Sequence, residues 1–366
     1  MADEATNREA FRIQAHYCRT NAAPIYARIT AALADGLTRE TRTGARVLDW
    51  PGEPTRDALP LRLVGGLHAL VLAGADAGLA DVFAGRVTAP EDVQRVLDTV
   101  LRRHDDALYP WLDGPPQTNE PGRSGALMTG LLAIAARFGP KLEVLEIGSS
   151  AGLNLLIDRY RIDLGGTAVG PAAAPVTLVP DWRGPPPAVV PIEIVSVRGC
   201  DIAPMDATDP AVEQRLAAYI WPEAPERLTR VQRAIGMIRQ APVDLVAADA
   251  AEWVEARLAE PQADGVTRVL MHSVVWQYLP EATAQRIRAA MQAVGAAATR
   301  DRPLGWVAME PDRALGHQVI RVRGWPDDGG WQVVGTSHAH GAWIDSRVSD
   351  AETAGIALPE AAQVNV

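Results

Sequence analysis

The chain has 366 residues, 48% of them hydrophobic and 22% charged, enough for two domains, since single cores seldom grow past about 250–300 residues. A net charge of −10 argues against a nucleic-acid surface, which needs clustered Lys and Arg to replace phosphate counterions, so small-molecule substrates are expected. No apolar run approaches the ~20 residues that cross a bilayer, MADEATNREA is no signal peptide, and Cys18 and Cys200 alone build no disulfide framework, so a cytoplasmic setting with no membrane partner is expected.

Residues 1 to about 125 read as a helical cap domain. Phe11, Ala15 and Cys18 mark a first helix, and Pro24 interrupts it or starts the next. Leu59 to Ala73 form a largely buried helix. Val93, Val96, Leu97, Val100 and Leu101 recur at helical spacing after Pro90-Glu91. A Pro/Gly-rich link, DGPPQTNEPGRSG over 113–125, closes this region.

From 126 to 366 short apolar runs alternate with amphipathic helices. The predicted strands are Leu142–Ile147, Ile192–Val197, Val243–Ala247, Arg268–Val275 and Leu304–Met309. Helices carry Val212, Leu216 and Ile220 after Asp209-Pro210, then Leu228, Val231, Ile235 and Ile238, then Ile287, Met291 and Val294. This alternation predicts an α/β fold, a Rossmann-like αβα sandwich with a mostly parallel sheet covered on both faces. The helical domain is expected to form one wall of a substrate cleft. Residues 161–190 break the rhythm and read as a hairpin or irregular insertion. His317–Val322 and Trp331–Gly335 read as an antiparallel hairpin that finishes the sheet.

The most informative segment is LEVLEIGSSAGLN, 142–154. A buried strand ends near Glu146, turns through Gly148 and Gly152, and is expected to enter a helix at about Leu153. Glycines let the backbone pass close to a ligand, and a helix start offers unpaired N–H groups. In open parallel sheets ligands sit beyond the carboxyl ends of the strands at such a crossover. The dinucleotide fingerprint needs glycines at 148, 150 and 153, where Gly, Ser and Leu stand. The nucleophile elbow G-x-S-x-G fits formally with Ser150 as nucleophile, which makes a serine hydrolase a third reading. It requires strands upstream of the elbow and an acid and histidine downstream, for which Asp249 or Glu310 and His338 or His340 are available. A bare strand–helix turn with no ligand is the remaining explanation.

VLEIGSSAGLN resembles motif I of class I S-adenosylmethionine-dependent methyltransferases, an acid followed by G-x-G-x-G, with Ser150 in place of the middle glycine. Val197–Pro204 resembles that family's second strand, Val243–Ala250 its third, Val269–Pro280 its fourth and Trp306–Pro311 its fifth, in the same order. The chain as a whole is also similar to an uncharacterised bacterial family, domain of unknown function 2332, through F-x-x-Q-A-x-x-C at Phe11–Cys18, TNEPGRS at 118–124 and EIGSSAGLN.

The methyltransferase resemblance implies S-adenosylmethionine as cofactor, held by Glu146, Gly148, Ser149, Ser150, Gly152 and Asn154 of the turn. It implies Asp201 on the ribose hydroxyls, because a carboxylate accepts from both at once, and Asp249-Ala250 beside the adenine. Arg123 is expected to bind the cofactor's carboxylate, with Asn119 and Glu120 in the same wall on the substrate side, or all three belong to a solvated linker. Trp276 and Tyr278 are expected to face the sulfonium by cation–π attraction or to lie in the core. A hydroxyl acceptor needs a general base, and His272 at the end of the fourth strand is the candidate. Asp201 and Asp249 also suit helix caps or turns, and His272 a satisfied core histidine. His338-Ala-His340 has no carboxylate or cysteine cluster nearby, and no metal is assigned. The expected activity is methyl transfer to a small molecule, and the rival is a non-catalytic S-adenosylmethionine-binding regulator. The sequence has no N/D-P-P-Y/F motif, which would mark certain amino-group methylases.

Overall fold

The computed structural model describes residues 3–114, 116, 118–312, 315–327 and 330–348. Positions 115 and 117 of the predicted link and 328–329 at the tip of the predicted hairpin lie outside the described residues. The described residues divide into two compact units, those up to 118 with 209–232, and 119–208 with those from 233 onward.

The first unit is helical. It contains α1 (Glu4–Thr20), α2 (Pro24–Gly36), α3 (Arg42–Leu48), α4 (Leu59–Leu72), α5 (Ala77–Phe83), α6 (Pro90–Arg103) and α7 (Asp105–Leu108). Its starts follow from local chemistry. Asp3, Thr41 and Asp76 accept backbone N–H bonds as N-caps of α1, α3 and α5, and α6 carries Glu91 and Asp92 in its first turn and Arg102 and Arg103 in its last. Phe11, Ile29, Leu33, Leu63, Leu67 and Leu97 meet in one buried core. Among the described residues no single helix is long and apolar enough to cross a membrane.

The boundary departs from the predicted one at 125 in two ways. Asn119, Glu120 and Arg123 fall in the second unit, and Asp209–Gln232 falls in the first. The second departure has a visible cause. Glu223 accepts the N–H groups of Ile25 (2.6 Å) and Tyr26 (3.3 Å) at the start of α2, the Trp221 ring lies 5.6 Å from that of Tyr26, and the Ala218 carbonyl meets His68 Nδ1 at 3.0 Å.

The second unit opens with α8 (Arg123–Phe138), then β1 (Lys141–Ile147), β2 (Arg161–Leu164), β3 (Thr167–Val169), β4 (Thr177–Leu178), β5 (Asp181–Arg183) and β6 (Glu193–Asp201). The chain visits the first unit through α9 (Pro210–Ala218) and the start of α10 (Pro225–Gln240). It resumes with β7 (Asp244–Ala247), α11 (Ala250–Leu258), β8 (Val266–Ser273), α12 (Glu281–Ala296), β9 (Leu304–Asp312), β10 (His317–Trp325), β11 (Gln332–Ser337) and β12 (Trp343–Asp345). The main sheet runs β5-β12-β11-β10-β9-β8-β1-β6-β7. Pairing is parallel from β7 through β6, β1 and β8 to β9 and antiparallel from β9 to β12. The five parallel strands stand in the doubly wound order third-second-first-fourth-fifth, and the order reverses between β1 and β8. The predicted insertion is a small sheet of β2, β3 and β4, whose β2–β3 pair is the expected hairpin. β5 instead joins the far edge of the main sheet, parallel to β12.

Strand alternation divides the core. Trp306 and Ala308 of β9 pack with Val254, Ile287 and Met291 of α11 and α12. On the other face α8 comes so close that a methyl group on Gly130 would sit 2.4 Å from Val307. Only glycine admits that approach.

Candidate functional site

The glycine turn leaves β1 at the point where the strand order reverses. Gly148, Ser150 and Gly152 all have positive φ, at 69°, 55° and 77°, a region that favours glycine and costs Ser150 on the order of 1–2 kcal/mol. Space is tight as well. A Cβ on Gly148 would meet Val275 at 2.3 Å, and one on Gly152 would meet Val243 at 2.9 Å.

Neighbouring segments brace this turn from three sides. Ser149 N–H donates to the Cys200 carbonyl at 3.1 Å, and Ser150 N–H to the Asp201 carboxylate at 2.8 Å. The other Asp201 oxygen accepts from Ala203 N–H at 2.9 Å. Asn119 accepts from Leu153 N–H at 2.6 Å, and Ser124 donates to the Asn154 side chain at 2.8 Å. The expected helix at Leu153 is a single 3-10 turn, Leu153–Leu156. Its first N–H is taken by Asn119, its Leu153 carbonyl accepts from the Tyr160 hydroxyl at 2.5 Å, and β2 follows at Arg161. No longer helix follows whose dipole could act at the turn, and what remains there is its acidic side chains.

Glu146 is 2% exposed, and its Oε2 has no hydrogen-bond partner. Burial pushes its carboxyl up to about 7, Ser149 and Arg123 pull it down, and Asp201 pushes it up. Arg123 is buried at the start of α8, with Nε donating to the Ala339 carbonyl at 3.0 Å. Glu120, also buried, accepts from Gly122 N–H at 2.9 Å. Asp249 caps α11, accepting from Ala251 and Glu252 at 2.9 and 3.1 Å, so its cap role is shown; Ala250 begins that helix.

The structure thus brings Glu146, Gly148, Ser149, Ser150, Gly152, Asn154, Asp201 and Asn119 together. Arg123 is close enough to act on Glu146 electrostatically. Two expected residues stand elsewhere. Glu146 pairs with Met271 across β1 and β8, so His272, one residue on, projects to the opposite face. His272 is fully buried, its ring 5.1 Å from that of Trp276 and its Nδ1 2.7 Å from Glu310 Oε1. Trp276 is equally buried, packed edge-on against Trp306 at 5.6 Å. This is the core alternative for Trp276; His272 is buried too, but on a carboxylate rather than on backbone acceptors, and its Nε2 has no hydrogen-bond partner. Tyr278, at 73% exposed, is open to solvent.

Sequence reasoning passed over Ser124, Tyr160 and the pairing of Glu310 with His272. An acid inside the apolar run of β9 was the available signal for Glu310, because such a group has to find donors. Glu310 Oε1 also accepts from Val275 N–H at 3.1 Å and Trp276 N–H at 3.2 Å. Just before them Val274 has φ 54°, an outlier for a β-branched residue that costs on the order of 1–3 kcal/mol. The His338 and His340 rings are 5.4 Å apart. Among the described residues no group of three or more His, Cys, Asp or Glu side chains converges as a metal ion requires.

No curated protein and no solved structure matches this chain. Residues 8–346 match a family described as uncharacterised proteins conserved in bacteria, domain of unknown function 2332. The chain belongs to that family.

Proposed function

We propose that the second unit binds S-adenosylmethionine at the glycine turn and passes its methyl group to a small-molecule acceptor. One observation carries this reading. Two carboxylates, Glu146 and Asp201, lie at the tips of adjacent strands beneath a turn whose N–H groups at 149, 150, 152 and 153 are already taken by protein acceptors. A pyrophosphate needs such donors and is repelled by the Asp201 carboxylate and by Glu146 once it ionises. A cationic amino acid joined to a hydroxyl-bearing sugar suits the same surroundings.

The strand order of the parallel half and the position of the turn agree with a class I methyltransferase sheet, although β10 follows β9 directly as an antiparallel neighbour. In this reading Glu146 faces the cationic part of the ligand, Asp201 takes ribose hydroxyls with its remaining lone pairs, and Asp249 closes the adenine side while capping α11. The cofactor supplies an electrophilic methyl on a sulfonium, and the chain supplies alignment and exclusion of water. The reducing cytoplasm is the proposed setting, which two buried free thiols, Cys18 and Cys200, suit.

The burial of His272 favours a second reading, a regulator that binds the ligand without transferring the methyl group. His272, the candidate base, is fully buried beside Glu310 rather than open to an acceptor. The Ser150 hydrolase draws less support, since the His272–Glu310 pair is buried on the face opposite Glu146.

Titration with S-adenosylmethionine and S-adenosylhomocysteine by calorimetry tests the binding. Heat with both, and weakening of both by about 1–3 kcal/mol in Asp201→Ala, is the expected result. No heat with either, together with labelling of Ser150 by a fluorophosphonate, would reverse the assignment. Release of S-adenosylhomocysteine during incubation with candidate acceptors separates enzyme from regulator.

A further inference from the structure

We infer that Glu310 is a positioning residue for the glycine turn, acting through the segment that follows β8. Among the described residues no hydrogen bond joins Glu310 to that turn. Its single oxygen Oε1 gathers three donors, His272 Nδ1 at 2.7 Å, Val275 N–H at 3.1 Å and Trp276 N–H at 3.2 Å. A carboxylate that gathers three donors in a site without exposure fixes each of them more firmly than a surface acceptor would.

What it fixes is a strained turn. Val274 is held at φ 54°, with its N–H on the Met309 carbonyl at 3.0 Å. A β-branched residue keeps that conformation only where its surroundings over-determine it. Glu310 supplies two of the determining bonds to the residues immediately after it. His272 supplies another constraint, since its ring stacks on Trp276 and its Nδ1–H points at the same oxygen. The Val275 side chain then fills the space that a Cβ on Gly148 would need. Val275 is the floor on which the first glycine of the turn rests.

The chain of contacts therefore runs from Glu310 to the backbone of Val275 and Trp276, from the Val275 side chain to Gly148, and so to the shape of the turn. A site held to within about 0.5 Å needs this kind of support behind the residues that touch the ligand. The arm concerning ligand affinity rests on the adenosyl reading proposed above, and the arm concerning the turn does not.

Backbone hydrogen exchange followed by mass spectrometry separates the two. In Glu310→Ala, exchange is expected to rise in 273–279 and also in 148–152, and to stay at the wild-type rate in 141–147. A rise confined to 273–279, or one spread equally over 141–147, overturns the inference, because a merely structural role predicts one or the other. Should Glu310→Ala not fold, Val275→Ala decides the matter. It leaves Glu310 and its donors in place and is expected to raise exchange in 148–152, and unchanged exchange there overturns the inference. Glu310→Gln keeps one acceptor oxygen and is expected to restore most of the protection.

In parallel, S-adenosylhomocysteine is titrated into wild type and Glu310→Ala below the melting temperature of either. Affinity is expected to fall on the order of tenfold. Wild type that takes up no S-adenosylhomocysteine while exchange still responds at 148–152 defeats the adenosyl reading and leaves Glu310 as a positioning residue. Wild type that binds, with Glu310→Ala binding equally well, overturns the inference and leaves the reading intact.

Discussion

The two ends of the same parallel sheet are built by opposite rules. At the amino end, Glu143 of β1 joins Arg268 of β8 at 2.8 Å and Arg198 of β6 at 2.5 Å, and Arg198 continues to Glu260 at 2.8 Å. Arg268, 2% exposed, uses all three nitrogens. Nε takes Glu143, while Nη1 and Nη2 take the carbonyls of Arg257, Glu260 and Pro261 at the close of α11. Three residues further along β1, Glu146 is buried with an oxygen that has no partner, and beyond it Ser150 and Val274 hold positive φ. Paired charges at one end, a buried carboxyl with an unpartnered oxygen and strained backbone at the other, is the division expected when one end serves stability and the other serves binding.

The most severe test of that division is Arg268→Met. It removes a buried guanidinium, leaves Glu143 to Arg198 alone and uncaps α11, so unfolding in urea is expected to show a loss of about 3 kcal/mol. Affinity for S-adenosylhomocysteine is expected to stay within about twofold while the protein is folded, since distant sites act nearly independently. Loss of affinity in step with stability would mean that the two ends are one unit.

Glu146→Gln reverses the sign. The folded protein keeps the Glu146 proton up to about pH 7, whereas the unfolded chain releases it near 4.5. The stabilising contribution of this raised value is complete below the unfolded value and disappears as pH rises through the folded one. At pH 8 wild type therefore carries a buried charge, and Glu146→Gln is expected to be more stable by on the order of 3 kcal/mol. The two proteins should converge below about pH 4.5. Denaturant titrations across pH check this, and a difference that does not depend on pH would show that Glu146 is compensated in the fold. A cationic ligand should draw the carboxyl back to its charged form, so calorimetry at pH 6 in buffers of different ionisation enthalpy is expected to show proton release on binding.

This division was only half legible in the sequence. The apolar runs located β1, β6, β7, β8 and β9, and the glycines located the turn, because burial on both faces and positive φ leave compositional marks. Three things left none. A strand buried on both faces, such as Leu142–Ile147, does not tell which neighbour's residue shares a side with Glu146. The Glu146–Met271 register decides that, and it sends His272 to the other face. The fate of Leu153 depended on Asn119, 34 residues away, which takes the N–H that a longer helix would have started from. The stripe of α9 reads alike whether it packs on a sheet or on helices, and only contacts such as Glu223 with Ile25 assign it to the first unit.

The smallest effect is expected at Ser150, and it bears on what the strained end is for. Replacing a left-handed serine by glycine relieves about 1 kcal/mol of backbone strain and returns about 0.5–1 kcal/mol to the entropy of the unfolded chain, so Ser150→Gly should leave stability nearly unchanged. If the turn serves an adenosyl ligand by backbone shape, the variant restores the middle glycine that the methyltransferase motif carries, and S-adenosylhomocysteine affinity is expected to hold or improve. If the strain exists to present the Ser150 hydroxyl, the same variant abolishes fluorophosphonate labelling and any esterase turnover while folding normally. Melting curves, calorimetry and labelling on one pair of proteins therefore divide the readings. Unchanged binding in Ser150→Gly assigns the strain to the path of the backbone, since the Ser150 N–H to Asp201 bond survives loss of the side chain.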